Sequence, residues 1–335
     1  MVMQWNNIIG QPNAVSLCKA MLSSGKLPHA LLFTGPAGIG KSLTAQLLAG
    51  GILCTDNHSK PCGQCQSCLL YDRSAHPDFT LIRPDGAAIK IDQIRAVQHF
   101  ASLAPSVSPG RVCLIEDAEL MTVQAANSLL KLLEEPPPGF VFILVAGTLK
   151  PLLPTILSRC RQIRFHPLPV EELELALVNK GFNPEAAMVA ARLSGGRMGR
   201  ALTLLEPQGL AARDMAVHLF DSLQNKDMTA VWDQATKLDS LETKELLTTM
   251  DFFLYLFRDV LMIAGGYSQQ LIYNIDLGQQ LAKWAPDWSE GRSLAAITAV
   301  KDTIRAIGGN ANTRLAIEEL LIKLRDMPEK GDLVC

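Results

Sequence analysis

Gly35-Pro36-Ala37-Gly38-Ile39-Gly40-Lys41-Ser42 decides how this chain reads. The stretch fits G-x-x-x-x-G-K-[ST], a phosphate-binding loop, and that motif carries meaning only between a strand and a helix. Both neighbours are present. Ala30-Leu31-Leu32-Phe33-Thr34 is a short apolar run ending at Gly35, and Leu43–Leu53 has helical character. Gly35, Gly38 and Gly40 let the loop curl so that backbone N–H groups point inward, and the helix N-terminus adds partial positive charge there. Lys41 would lie against the β- and γ-phosphates and the Ser42 hydroxyl would ligate magnesium. The expected ligand is ATP or ADP with magnesium. The alternative is a glycine-rich turn that binds nothing.

Outward from the loop, strand and helix signals alternate. Thr80–Ile82, Arg111–Ile115 and Val141–Val145 read as strands. Ile91–Leu103 and Ala118–Leu133 read as helices, the second with Leu120, Ala125, Leu129, Leu132 and Leu133 on one face. Alternation of this kind predicts an α/β fold, with a parallel sheet covered on both sides. Strand signals fade after Phe165, and Pro167 and Pro169 mark a junction. A small helical unit follows to about Leu205. Beyond Glu206-Pro207-Gln208-Gly209 the chain reads as all-helical, with Leu246, Met250, Phe253, Leu254, Phe257 and Leu261 at helical spacing and a last helix over Thr313–Arg325. The tail Pro328–Cys335 is expected to fray. Three domains result: 1–166, 167–206 and 207–335.

A second acidic signal lies at the end of the Arg111–Ile115 strand, in Glu116-Asp117-Ala118-Glu119. Glu116 is placed to hold magnesium and Asp117 to orient an attacking water. Asp117 is one methylene shorter than a glutamate, and a reach short by about an ångström costs roughly a hundredfold in rate. The other reading is an acidic helix start favoured by the helix dipole.

Cys54, Cys62, Cys65 and Cys68 follow C-x7-C-x2-C-x2-C, with Gly63 placed for a tight turn. An all-cysteine set closes a tetrahedral structural zinc site, whereas a catalytic zinc keeps an open position. Iron–sulfur ligation and buried free thiols are the alternatives. Cys18, Cys113 and Cys160 read as small buried hydrophobes, and Cys335 stands apart from them.

Composition narrows the class further. The chain has 335 residues, 48% hydrophobic and 19% charged, with net charge −2. That is ordinary globular composition and not a surface coated in basic residues. No apolar run approaches the roughly 18–20 residues of a membrane-spanning helix. Met1–Gly10 has no basic leader before an apolar core, so a cytoplasmic location is expected.

The order of these features, with Leu129-Leu130-Lys131-Leu132-Leu133-Glu134-Glu135-Pro136-Pro137 and Ser158-Arg159-Cys160 after them, resembles the bacterial clamp-loader family. These are AAA+ subunits that place a ring-shaped sliding clamp on primed DNA for DNA polymerase III. The resemblance covers nearly the whole chain. It implies an AAA+ domain with a zinc insertion at about 54–68, a helical lid and an all-helical collar. The implied partners are the tau/gamma and delta subunits, the sliding clamp and primed DNA through its phosphates. It also implies that Arg159 is a finger pointing into a neighbour's ATP site. Where the hydrolysing members carry Gly-Ser-x-Arg-x-Ala-Leu, this chain has Gly196-Arg197-Met198-Gly199-Arg200-Ala201-Leu202, which puts Gly199 at the arginine position. Arg197 or Arg200 would compensate only from another helical angle. Gly147-Thr148 stands in the first-sensor region, with Thr148 still able to serve. These departures imply a subunit that binds nucleotide and hydrolyses it poorly. The alternative is an active ATPase of the tau/gamma kind. Lys90, Arg95 and Lys131 are candidate phosphate contacts to DNA.

Overall fold

Strand β1, Ala30–Thr34, is buried at every position, as expected of an apolar run inside a parallel sheet. The computed structural model describes residues 4–56, 58–224, 228–309 and 311–327. Pro328–Cys335 of the expected third domain therefore lies outside the described residues. The chain divides into two units: residues up to Ala176 with Gly195–Arg200, and Leu177–Ser194 with the residues from Ala201 on.

In the first unit α1 (Pro12–Ser24) precedes β1. Then come α2 (Lys41–Leu53), α3 (Gln66–Asp72), β2 (Phe79–Ile82), α4 (Ile91–Ser102), β3 (Arg111–Ile115), α5 (Val123–Glu134), β4 (Phe140–Ala146), α6 (Pro154–Leu157) and β5 (Arg161–Arg164). All strand pairs are parallel, in the order β2-β3-β4-β1-β5. Alternation along the strands feeds two cores. Leu32, Cys113, Ile115, Phe142 and Leu144 meet Ile94, Val97, Ala125 and Leu129 from α4 and α5 on one face. Leu31, Phe33, Leu114 and Ile143 meet Cys18, Ala45, Leu48 and Ile52 from α1 and α2 on the other. Burying each such Leu, Ile or Phe side chain is worth roughly 1.5–3 kcal/mol, which is why both faces must be covered. Cys18, Cys113 and Cys160 are buried as expected.

Two local readings are corrected. The helix expected from Ala118 begins only at Val123, where the Thr122 side chain accepts the Ala125 N–H. Ala118–Leu120 forms a 3-10 turn instead, and Leu120 is exposed rather than part of the buried face. The edge strand β5 is absent from the sequence reading. Only Ile163 of its four residues is buried, so no apolar pattern announces it.

Helix α7 (Val170–Asn179) follows, then α8 (Pro184–Leu193) and α9 (Met198–Leu204). Helices α7 and α9 each span the division between the units, and the second unit also comprises α10 (Ala211–Gln224), α11 (Met228–Asp239), α12 (Thr243–Ala264), α13 (Gly278–Trp284), α14 (Glu290–Gly308) and α15 (Thr313–Arg325). Helix α12 buries Leu246, Met250, Phe253 and Phe257 of the expected stripe, leaves Leu254 and Leu261 half-buried, and also buries Phe252, Leu256 and Val260. Its wider face packs in an aromatic cluster, with the Phe220 ring stacked on Trp284 at 4.3 Å and Phe257 edge-on to Trp288 at 4.7 Å. Among the described residues no helix is long and apolar enough to cross a membrane.

Candidate functional site

The parallel sheet puts three loops at the carboxyl ends of adjacent strands: the glycine loop after β1, the acidic turn after β3, and Gly147-Thr148 after β4 between them. Ligands of open α/β sheets bind outside these ends. Gly35, Gly38 and Gly40 all adopt positive φ, at 142°, 79° and 97°. A side chain at Gly35 would also place Cβ 2.5 Å from the Phe165 carbonyl. Lys41 is only 6% exposed. Its ammonium donates to the carbonyls of Gly35 at 2.6 Å and Pro36 at 2.7 Å. A buried cation needs such acceptors, so the lysine is satisfied within its own loop and must leave those carbonyls to reach a phosphate. Burial lowers its pKa, and the charges of Glu119 and then Asp117 oppose that shift. Ser42 follows as the second residue of α2, half-buried.

The acids separate in an unexpected way. The Glu116 carboxylate accepts the Arg83 Nε–H at 2.8 Å and the Gln46 amide at 3.4 Å. Asp117 is exposed with left-handed backbone, φ 50° and ψ 47°. Glu119, missed in the sequence reading, reaches the end of β4, where its Oε1 accepts the Gly147 N–H at 2.7 Å. Its Oε2 is buried with no hydrogen-bond partner. Leaving a buried acceptor unmatched costs about 1–3 kcal/mol. The signal was an acid three residues after Glu116, hidden by the helix expected from Ala118. Thr148 is exposed, and its hydroxyl accepts the Lys150 N–H at 3.4 Å.

Gly199 meets the loop directly. Its N–H donates to the Gly38 carbonyl at 2.7 Å, and a Cβ at Gly199 would lie 3.0 Å from the Gly38 Cα. The position expected to be an arginine is therefore a backbone contact that favours the smallest residue. The backbone of Arg200 runs beside it, since a Cβ on Gly38 would sit 3.4 Å from the Arg200 nitrogen.

Arg159 lies apart from this crevice. It pairs with Glu134 at 2.6 Å and donates to the Thr155 carbonyl at 3.0 Å. Lys90 and Arg95 are exposed and paired to Asp85 and Asp92, at 2.8 and 3.0 Å, while Lys131 lies exposed on α5.

The four cysteines converge. Their sulfurs all lie within 4.8 Å of one another. The Cys54–Cys65 and Cys62–Cys68 pairs are both 3.9 Å apart. Sulfurs at about 2.3 Å from a tetrahedral zinc stand roughly 3.8 Å apart, so the thiols fit one metal ion. Backbone N–H groups of Cys62, Cys65 and Cys68 point at sulfurs of the cluster, at 3.3–3.4 Å, and Gly63 turns the chain at φ 72°. Burial pushes the Cys54 and Cys68 thiols up. Burial also acts on Cys65, but hydrogen bonds from Thr55 and Cys68 outweigh it and hold that thiol down to about 6.

A buried polar network fastens this module to the sheet. The Ser67 and Ser108 hydroxyls both donate to the Leu53 carbonyl, next to Cys54, at 2.6 and 2.9 Å. His76 Nε2 lies 2.8 and 3.0 Å from the same two hydroxyls. Its Nδ1 accepts the Asp78 backbone N–H at 3.0 Å, so Nε2 carries the proton. Asp78, fully buried, accepts N–H groups from Ser106, Val107 and Ser108 at 2.8–2.9 Å and faces Arg111 at 3.5 Å. The serine–histidine pair is not an activated nucleophile: the histidine is turned by a backbone amide, and every member is buried.

Fold and site together define a P-loop α/β protein with a four-thiol module. A family model described as DNA polymerase III, delta subunit, matches residues 10–169. DNA polymerase III subunit delta' of Bacillus subtilis is 31% identical over 320 residues, covering 94% of this chain and 96% of that one. The delta' subunit of Escherichia coli is 28% identical over 320 residues, 93% of each chain. The tau subunit of Escherichia coli is 33% identical over 216 residues, but these are 62% of this chain and 33% of tau. The chain belongs to the DNA polymerase III subunit delta' family.

Proposed function

We propose that the chain is an AAA+ clamp-loader subunit of the cytoplasm that helps place the sliding clamp on primed DNA, assembled with tau/gamma and delta subunits. The observation that carries this is similarity to delta' along nearly the full length of both chains, where the likeness to tau stops at a third of tau. The layout is an AAA+ domain over 1–166, a lid over 167–206 and a collar over 207–335. Its loop binds ATP or ADP through Gly35, Gly38, Gly40 and Lys41, with Ser42 on the magnesium and Thr148 nearby. Hydrolysis is slow. Asp117 is short for a general base and turned to solvent, and Gly199 supplies no guanidinium. Arg159 acts instead on the neighbour's nucleotide.

The isolated chain should bind ADP in a manner that Lys41→Ala abolishes, and turn over ATP well below about 1 s⁻¹, an ordinary enzyme rate being of that order or faster. Turnover at or above that rate would favour the second reading, an active ATPase of the tau/gamma kind, which the intact glycine loop supports. Clamp loading on primed DNA, scored with and without this chain, tests the assembly itself.

The cysteine module holds structural zinc on Cys54, Cys62, Cys65 and Cys68. Purified without chelator, the protein should carry about one zinc per chain by elemental analysis. Cys65→Ser should lose most of that metal and expose the remaining thiols to a thiol reagent, while the second unit keeps its helical signal. Four freely reactive thiols in the native protein would rule the metal site out.

A further inference from the structure

We propose that Glu119, rather than Glu116, is the carboxylate that faces the magnesium ion of a bound nucleotide. The inference rests on the reading that the glycine loop binds nucleotide. Three observations lead to it. Glu116 already takes a donor on each oxygen, the Arg83 Nε–H on one and the Gln46 amide on the other. Glu119 is anchored by one oxygen only, through the Gly147 N–H just beyond the end of the neighbouring strand β4. The other oxygen is buried and unpartnered.

A buried carboxylate oxygen without a donor is a place for a cation. Lys41, whose ammonium feels the Glu119 charge most among the carboxylates, spends its protons on Gly35 and Pro36 instead. When the lysine turns to a phosphate, Glu119 Oε2 is left as the acceptor for the hydrated magnesium that accompanies it, directly or through one of its waters. Gly147 is part of the same arrangement. A side chain there would place Cβ 2.8 Å from Glu119 Oε1, so the carboxylate would have to shift from its present anchor. The 3-10 turn Ala118–Leu120 is what brings Glu119 to this position.

Glu119→Gln is the discriminating variant, because its amide oxygen can still accept the Gly147 N–H while the charge is removed. ADP affinity is measured on the full chain with magnesium and with chelator, for the wild type, Glu119→Gln and Glu116→Gln. Manganese–ADP binding, followed by paramagnetic resonance, reports the ion itself. In the wild type magnesium should strengthen ADP binding. Glu119→Gln should lose about tenfold or more of that metal-dependent gain and keep its affinity in chelator, with an unchanged melting temperature. Glu116→Gln should retain the gain. An undiminished magnesium effect in Glu119→Gln, or a loss confined to Glu116→Gln, would overturn the assignment while leaving nucleotide binding intact. Wild-type ADP binding that ignores magnesium would overturn it as well. If the wild type binds no ADP under either condition, the assignment falls together with the nucleotide reading. The clamp-loading reconstitution then still judges the subunit's role separately.

Discussion

Arg159→Ala, introduced only in this chain of a reconstituted complex, should slow hydrolysis at the ATP site facing it by about 10³-fold or more, the usual worth of an arginine finger. In a complex with several ATP sites the total rate should fall only in part, because only the site facing this chain is altered, and clamp loading should fall with it. In the isolated chain Arg159 rests on Glu134, at 2.6 Å, with both side chains substantially exposed. Ion pairs of that kind contribute about 0–1 kcal/mol, so the guanidinium can exchange Glu134 for a neighbour's phosphate at little cost. Arg159→Lys should be nearly as damaging, because it keeps the charge and loses the planar fork. Folding, zinc content and assembly should survive, since one edge side chain is a small part of a subunit interface. Unchanged stimulated hydrolysis in a complex whose assembly is verified would make Arg159 an ordinary surface residue.

Replacing Asp78 should have the largest effect on stability. Asp78→Ala strips the acceptors from three backbone N–H groups and leaves Arg111, 4% exposed, without its counter-charge. Breaking one side of a buried pair of this kind costs about 3–5 kcal/mol. Urea unfolding of the variant, followed with the metal content, should show that loss and loosening of the cysteine module. A change under about 1 kcal/mol would contradict it. The same network makes the protein acid-sensitive. Burial lowers the His76 pKa, with Asp78 opposing. Its contribution is therefore fully present above about 6.5, the unfolded value, and lost as the pH falls toward the folded one. For Asp78 burial works upward, but the backbone N–H bonds and Arg111 outweigh it and depress the pKa. That contribution holds above about 3.9 and is lost only at lower pH. The melting temperature should thus decline first below about pH 6.5 and again in the carboxylate range, with the first decline reduced in His76→Gln.

Much of this molecule is written in local pattern. The glycine loop, the buried strands β1, β3 and β4, the helix Thr313–Arg325 and the four-cysteine spacing follow from residues close together in the chain, because period and turn chemistry are short-range properties. The tertiary structure decided what depends on distant partners. Strand β5 exists because β1 offers it an edge, and its own four residues bury a single side chain. His76 and Asp78 matter because Leu53 and Ser108 come to them from elsewhere in the chain. Glu119 differs from Glu116 only in where a 3-10 turn and Gly147 direct its carboxylate. The role of Gly199 depends on Gly38, far away in the chain, whose carbonyl accepts its N–H. Burial and helix period are encoded residue by residue, whereas the partner of a charged or hydrogen-bonding group is chosen by the packing of whole elements, and no local spacing specifies it.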